Sequence, residues 1–127
     1  MSSSTETAMT DSWPWPDSLD ALVAAPKHHT LILENESVRV VRTYILPGDF
    51  VPIHTHRWPG VVHILSWSDF IRRDDKGQVL FDSRSVTPPP KLPAVQYIDP
   101  LPPHSVENMG NADIDLYIVE LKAPHTK

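Results

Sequence analysis

The chain has 127 residues, of which 40% are hydrophobic and 21% charged, and its formal net charge is -5 at pH 7. This length predicts one domain with one core, and the negative charge gives no electrostatic reason to expect nucleic acid as a partner. Cysteine is absent, which excludes disulfides and thiolate metal sites, so any metal must be held by histidine, carboxylate or backbone oxygen.

The N-terminal residues 1–12 are small and polar, and we expect them to form a disordered tail ahead of a domain that spans 13–127. The sequence contains neither a basic region followed by an apolar run nor 18 consecutive apolar residues. We therefore expect a cytoplasmic protein that does not have a membrane as a partner.

The next segment, DSLDALVAAP, predicts one short helix. Asp17 or Ser18 can cap its N-terminus, three apolar residues follow at helical spacing, and Pro26 ends it. No other part of the sequence predicts a helix as clearly.

From here the hydrophobic period changes to two, with many β-branched and aromatic residues, which predicts strands. The nine predicted strands are HTLILEN, SVRVVRTYIL, FVPIHTH, GVVHILSW, DFIRRD, QVLFDSR, VQYID, HSVENM and DIDLYIVELK. Turn residues separate them, and DDKG predicts a tight hairpin between the fifth and sixth strands. The segment from Pro88 to Pro93 is predicted to be a stiff loop. Short strands at roughly ten-residue intervals indicate an all-β sandwich or closed barrel.

Three histidines on the predicted strands form a candidate metal site. On FVPIHTH, His54 and His56 project to the same side about 6.6 Å apart, because alternate residues share a face. His104 begins another strand that a barrel would bring opposite this pair. Three neutral imidazoles suit divalent Fe, Ni, Cu, Co, Mn or Zn better than Mg or Ca. The alternative is an ordinary half-exposed pair of histidines without metal.

Two segments resemble the paired signatures of the cupin superfamily. GDFVPIHTH has a glycine, five residues and then His-x-His, as in the first signature, and HSVEN has a histidine followed by Asn108, as in the second. The resemblance to small single-domain bacterial cupins covers about residues 27–122. It implies a single-domain jelly-roll β-barrel with a short N-terminal helix, with a divalent transition metal (Fe, Ni, Mn or Zn) in its mouth and Asn108 in a structural role.

The sequence departs from the cupin pattern at one expected ligand. Cupins usually place a glutamate about five residues after the second histidine, where this chain has Val61. His63 lies two residues further on, and we expect it to face the barrel interior. It is a candidate fourth ligand, a catalytic acid or base, or a hydrogen-bonded residue of the wall. Without a carboxylate, the ion would keep its full +2 charge and favour an anionic or chelating substrate.

These residues predict a small metal-binding cupin that acts on a small organic acid as a dioxygenase-like or isomerase/lyase-like enzyme. Its metal ligands are His54, His56 and His104, and His63 is the catalytic candidate. The alternative is a non-catalytic cupin that binds or senses a small molecule, with weak or no metal. We expect a homodimer, for which HTLILEN offers an edge strand.

The remaining polar and aromatic residues near the histidines give weaker expectations. Trp58 and Trp67 are candidates for the pocket wall or for ordinary packing. Gln96 and Asp99 are minor candidates for ligands. The residues expected on the surface are His28, His29, His125, Arg72 and Arg73.

Overall fold

The computed structural model describes residues 13–85 and 89–122. The predicted N-terminal tail, the first proline of the 88–93 loop and His125 lie outside the described residues.

The helical segment near the N-terminus is split in two. A 3-10 turn at Asp17–Leu19 is followed by helix α1 at Ala21–Ala24. The helix cap is Asp20, whose side chain accepts a hydrogen bond from the backbone N–H of Leu22 at 3.1 Å. The predicted caps Asp17 and Ser18 were therefore wrong, because the 3-10 turn includes them. No helix among the described residues is long and apolar enough to cross a membrane.

All nine predicted strands are present among the described residues, in two antiparallel sheets. They are β1 His29–Glu34, β2 Val38–Ile45, β3 Phe50–His56, β4 Gly60–Ser66, β5 Phe70–Asp74, β6 Val79–Asp82, β7 Ala94–Ile98, β8 Leu101–Asn108 and β9 Ile114–Leu121. The five-stranded sheet has the order β1-β2-β9-β4-β7, and the four-stranded sheet has the order β3-β8-β5-β6. This is the predicted all-β jelly-roll architecture.

The core lies between the two sheets and consists mainly of the residues that face inward at alternate positions along the strands. One cluster of buried residues comprises Ala25, Ile45, Val51 and Ile114, and a second comprises Val62, Ile64 and Ile118. Leu116 packs against both clusters. The two clusters therefore form one continuous apolar interior, lined by both sheets.

The predicted DDKG hairpin joins β5 and β6. Gly77 has a φ of +84°, and its N–H donates to the carbonyl of Asp74 at 3.1 Å. Glycine adopts this left-handed conformation without the steric cost of a Cβ, so the turn needs glycine at this position.

Candidate metal centre

Pairing of β3 with β8 brings the three predicted histidines together. His54 and His104 are opposite each other in the register, and their ring centroids are 4.3 Å apart. The ring of His56 lies 5.0 Å from that of His54 and 5.5 Å from that of His104. All three side chains are buried. The strands thus place three imidazoles side by side at one end of the interior.

A fourth histidine, His29, joins them from the start of β1. Its ring lies 4.8 Å from that of His54 and 5.6 Å from that of His56. One potential ligand atom from each of these three residues lies within 4.8 Å of the others. Two nitrogens bound at about 2.1 Å to one ion are at most about 4.2 Å apart. A small closing movement would therefore let these three residues share a metal.

The expectation that His28 and His29 lie on the surface is wrong. Both are buried, with 5% and 4% of their surface exposed. His28 contacts the carboxylate of Asp49 through Nε2 at 3.3 Å, whereas Nδ1 of His29 bonds to the carbonyl of Ala25 at 2.9 Å. The chain preceding β1 folds against the barrel, and this packing turns His29 inward.

The hydrogen bonds of His29, His54 and His104 select one tautomer for each ring. Nδ1 of His54 lies 2.8 Å from the carbonyl of Pro52, and Nδ1 of His104 lies 2.7 Å from the carbonyl of Pro102. A carbonyl only accepts, so Nδ1 must carry the proton and donate it. The same holds for His29 and its carbonyl partner. In each neutral ring, Nε2 therefore keeps its lone pair, the form that binds a metal.

Burial keeps these rings neutral. It lowers the pKa of His29 to about 4 and that of His104 to about 3, and like-charge repulsion from His56 contributes in both cases. The pKa of His54 is also lowered strongly, again mainly by burial. Near pH 7 these three imidazoles carry no charge, so a metal would not compete with protons for them.

A buried carboxylate lies behind His56. Glu120 on β9 has no exposed surface, and its Oε2 lies 3.5 Å from Nδ1 of His56. Its Oε1 accepts from Nε of Arg39 at 2.5 Å. Arg39 in turn donates from both Nη atoms to the carboxylate of Asp20, at 2.8 and 3.0 Å. This chain of charges connects helix α1 through the five-stranded sheet to the histidine cluster.

Next to the histidines, the interior contains a cavity of about 130 Å³. Most of its wall is apolar, and Trp67 and Phe70 supply its aromatic part. Its polar lining residues are the four histidines with Thr43, Arg72 and Gln96. No Asp or Glu belongs to the lining among the residues described. A ligand would meet imidazoles, a guanidinium and an otherwise mostly apolar wall.

The structure contradicts the expected orientation of His63. Along β4 the buried residues are Gly60, Val62 and Ile64, and His63 is exposed. Val61 has the same phase as His63 and likewise does not line the cavity. A side chain that replaced the hydrogen of Gly60 would come within 2.9 Å of the carbonyl oxygen of Val119. The missing carboxylate is therefore not replaced from β4.

Several of the weaker expectations are also resolved by position. Trp67 lines the cavity, whereas Trp58 stacks against Arg39 at 5.1 Å outside it. Gln96 lines the cavity, but Asp99 does not. Arg73 forms a partly exposed ion pair with Glu107 at 2.9 Å, which agrees with its expected surface position. Arg72 was expected in solvent but lines the cavity, because it shares the inward phase of Phe70.

By sequence, no family model matches the chain and no curated protein matches it. Its structure is similar to that of a cupin domain from Bordetella pertussis, with a TM-score of 0.59, 21% identity, and coverage of 75% of this chain and 92% of the other. It is also similar to a Klebsiella pneumoniae protein with a double-stranded β-helix domain, with a TM-score of 0.52, 18% identity, and coverage of 73% and 74%.

A third similar structure is an RmlC-like cupin family protein from Methanocaldococcus jannaschii, with a TM-score of 0.50, 11% identity, and coverage of 73% of this chain and 77% of the other. The Klebsiella and Methanocaldococcus proteins have a double-stranded β-helix, and the Bordetella protein is a cupin domain. The chain is therefore a cupin-fold protein, with a buried three-histidine group at a position compatible with a metal.

Three functional candidates were missed from the sequence, namely His29, Arg72 and Glu120. Only Glu120 occupies a position where strand alternation predicts an inward side chain, because β1 shows no alternating burial and β5 has an apolar residue in each phase. On β9, Ile114, Ile118 and Glu120 share one phase. A charged residue in the apolar phase of a strand is the signal that could have identified Glu120.

Proposed function

We propose that the protein is a metal-dependent enzyme that binds a divalent transition ion (Fe, Ni, Mn or Zn) and acts on a small organic acid. The ligands are His54 and His56, together with His29, His104 or both. The observation that carries this proposal is the hydrogen bonding of Nδ1 in His29, His54 and His104, which leaves Nε2 of these three rings available as a ligand.

The arrangement favours a metal over ordinary packing for two reasons. Burying several imidazoles next to one another is unfavourable unless their lone pairs find a partner. In addition, neutral nitrogen ligands without a lining carboxylate suit Fe, Ni, Mn or Zn better than Mg or Ca. His54 and His56 are common to both possible triads, since their rings contact those of His29 and His104 alike.

When bound, such an ion would polarise a substrate oxygen and lower the pKa of a bound water. The histidines would hold it, and the apolar wall would exclude bulk water and position the substrate. The titratable residues that line the cavity among those described are the four histidines and Arg72. A reaction that needs a separate acid or base could use only a histidine that does not ligate. This favours an oxygenase-like reaction over an isomerase-like or lyase-like one.

Metal analysis of protein purified without an affinity tag tests the proposal. We expect about one ion per chain and a higher melting temperature on addition of Fe(II), Mn(II), Ni(II) or Zn(II), because a ligand of the native state stabilises it. His54→Ala should abolish both effects. The matched control is His63→Ala, which removes an exposed imidazole from β4. Less than about 0.1 ion per chain, with no gain in melting temperature, would refute a metal site.

Two further variants identify the third ligand. If both His29 and His104 ligate, each alanine substitution should weaken binding without abolishing it. If only one ligates, its substitution should remove the metal while the other leaves it in place. If the two single alanine variants and the double variant all retain the metal, the proposed ligand set is contradicted.

A second candidate function is a non-catalytic cupin that binds or senses a small molecule. The largely apolar cavity wall supports it, because such a wall can hold a ligand without reacting with it. Oxygen consumption by the metal-loaded protein in the presence of small organic acids separates the two candidates. Ligand binding without turnover would favour the second.

A further inference from the structure

Arg72 projects into the cavity from the centre of β5. It is paired in register with Val106, two residues beyond His104 on β8, and both Arg72 and Val106 line the cavity. The guanidinium carbon lies 5.7 Å from the ring centroid of Phe70 and 6.0 Å from that of Phe81. The two rings hold the cation on the same side of the interior as His104.

This cation has no counterion among the described residues. The Nε atom of Arg72 is buried and has no hydrogen-bond partner. The guanidinium forms no ion pair within the described part of the chain. The pKa of Arg72 is lowered, with burial as the cause. A buried donor without a partner lowers the free energy of unfolding. By contrast, the neighbouring Arg73 is paired with Glu107.

The surroundings favour a negative ligand. No carboxylate belongs to the lining among the described residues, whereas a divalent ion at the histidines would add two positive charges. Low-dielectric walls strengthen the resulting field inside the cavity. An anion that entered would supply the partner that Arg72 lacks.

We propose that Arg72 binds the carboxylate of a small monocarboxylic acid whose apolar body packs against the hydrocarbon wall of the cavity. A guanidinium matches a carboxylate in a bidentate manner, and the stacked rings limit its orientation. The wall that would receive the body includes Val51, Ile64, Ile114 and Leu116. The inference rests on the proposed function for its site, since it names the class of acid that would be the substrate.

The volume of the cavity limits the size of the acid. About 130 Å³ is less than the roughly 300–1,000 Å³ of sites that bind drug-sized ligands. A single ring or a short branched chain is consistent with this volume. Benzoate therefore serves as the probe, and benzamide, which has the same shape without the charge, is its control.

Calorimetric titration of metal-depleted protein with benzoate tests the proposal. We expect wild type to bind benzoate more tightly than acetate. Benzamide should bind at least about tenfold more weakly than benzoate. Arg72→Gln should weaken benzoate binding by about tenfold or more. Arg73→Gln is the matched control, because it removes the adjacent arginine, which pairs outside the cavity, and it should bind benzoate as wild type does.

A second variant distinguishes ligand binding from a structural role. Arg72→Met replaces the cation with an apolar chain of similar length, so the melting temperature of the ligand-free protein should be unchanged or higher. A lower melting temperature with unchanged benzoate binding would overturn the proposal. Equal binding of benzoate and benzamide would overturn it as well. Metal content is measured separately in every variant, so a protein that binds benzoate but no metal would refute the proposed metalloenzyme and not the role of Arg72.

Discussion

The carboxylate of Glu120 faces Nδ1 of His56 across 3.5 Å in the interior of the barrel. A carboxylate on Nδ1 favours the tautomer in which Nε2 carries the lone pair, and it makes that nitrogen a stronger ligand. Arg39 holds Glu120 in place from the opposite side. The buried carboxylate of Glu120 thus lies behind a histidine and not in the cavity lining.

Glu120→Gln should weaken metal binding without removing it. The amide keeps the size of the side chain but loses the charge that polarises His56, and the loss of such a partner typically lowers metal affinity about 10–100-fold. Competition with a chelator of known affinity measures the change. Glu107→Gln is the control, because Glu107 forms a partly exposed ion pair with Arg73 on the surface. Equal affinities in wild type and Glu120→Gln would show that the carboxylate has no influence on the ion.

The strands could be predicted because each carries its own alternation. On β2, for example, Val41 and Ile45 face the core while Arg42 faces outward, and the pattern is visible in the sequence. The short helix was less accurate, since Asp20 caps α1 after a separate 3-10 turn. Local patterns determine the type of element, whereas the ends of elements depend on packing.

The candidate site could be predicted only where the histidines share a strand or a recognised signature. His29 was missed because its inward position depends on how the chain before β1 packs, and no local pattern contains that information. His63 was misplaced because its orientation was inferred from Val61, which itself faces outward. A shift of one residue in phase exchanges the two faces of a strand. The assumption that Val61 faces inward therefore placed His63 on the wrong face of β4.

The metal-free protein should lose stability as the pH falls below about 6.5. The pKa values of His29 and His104 are lowered to about 4 and about 3 by burial, so between these values and 6.5 the unfolded chain binds protons that the folded chain does not. The free energy of unfolding therefore falls with falling pH, by up to about 1.4 kcal/mol per pH unit for each such histidine. Urea unfolding between pH 8 and pH 5, with a chelator present, measures the slope.

The control for this slope is a variant that removes one of the titrating groups. His104→Gln should reduce the pH dependence, whereas His63→Gln removes an exposed imidazole and should leave it unchanged. A free energy of unfolding that stays constant from pH 7 to pH 5 in wild type would contradict the burial of neutral histidines.

Asn108 should be among the polar residues most important for stability. Its Oδ1 accepts from Ser68 Oγ and from the N–H of Gly110, and its Nδ2 donates to the carbonyls of Ile45 and Ala112. This agrees with the structural role expected for it. Asn108→Ala leaves these buried groups without partners and should lower the free energy of unfolding by about 2–4 kcal/mol.

Asn35→Ala is the matched control for Asn108. The side chain of Asn35 also accepts two hydrogen bonds from backbone N–H groups, those of Ser37 and Val38, but in an exposed turn. Water can replace these bonds, so its substitution should cost less than about 1 kcal/mol. Chemical denaturation of both variants measures the difference, and equal losses would contradict the structural role assigned to Asn108.

We predict that the chain forms a homodimer through β1. This strand lies at the edge of the five-stranded sheet, and its consecutive residues Leu31, Ile32 and Leu33 are 45%, 50% and 52% exposed. An edge strand with apolar side chains exposed on both faces favours pairing with a second copy. Light scattering coupled to size exclusion should give twice the mass of one chain. Leu33→Lys should shift the protein to monomer, whereas Leu80→Lys, on the edge strand β6 with the same 52% exposure, should not. A monomeric wild type, or dissociation by Leu80→Lys alone, would show that β1 is not the interface.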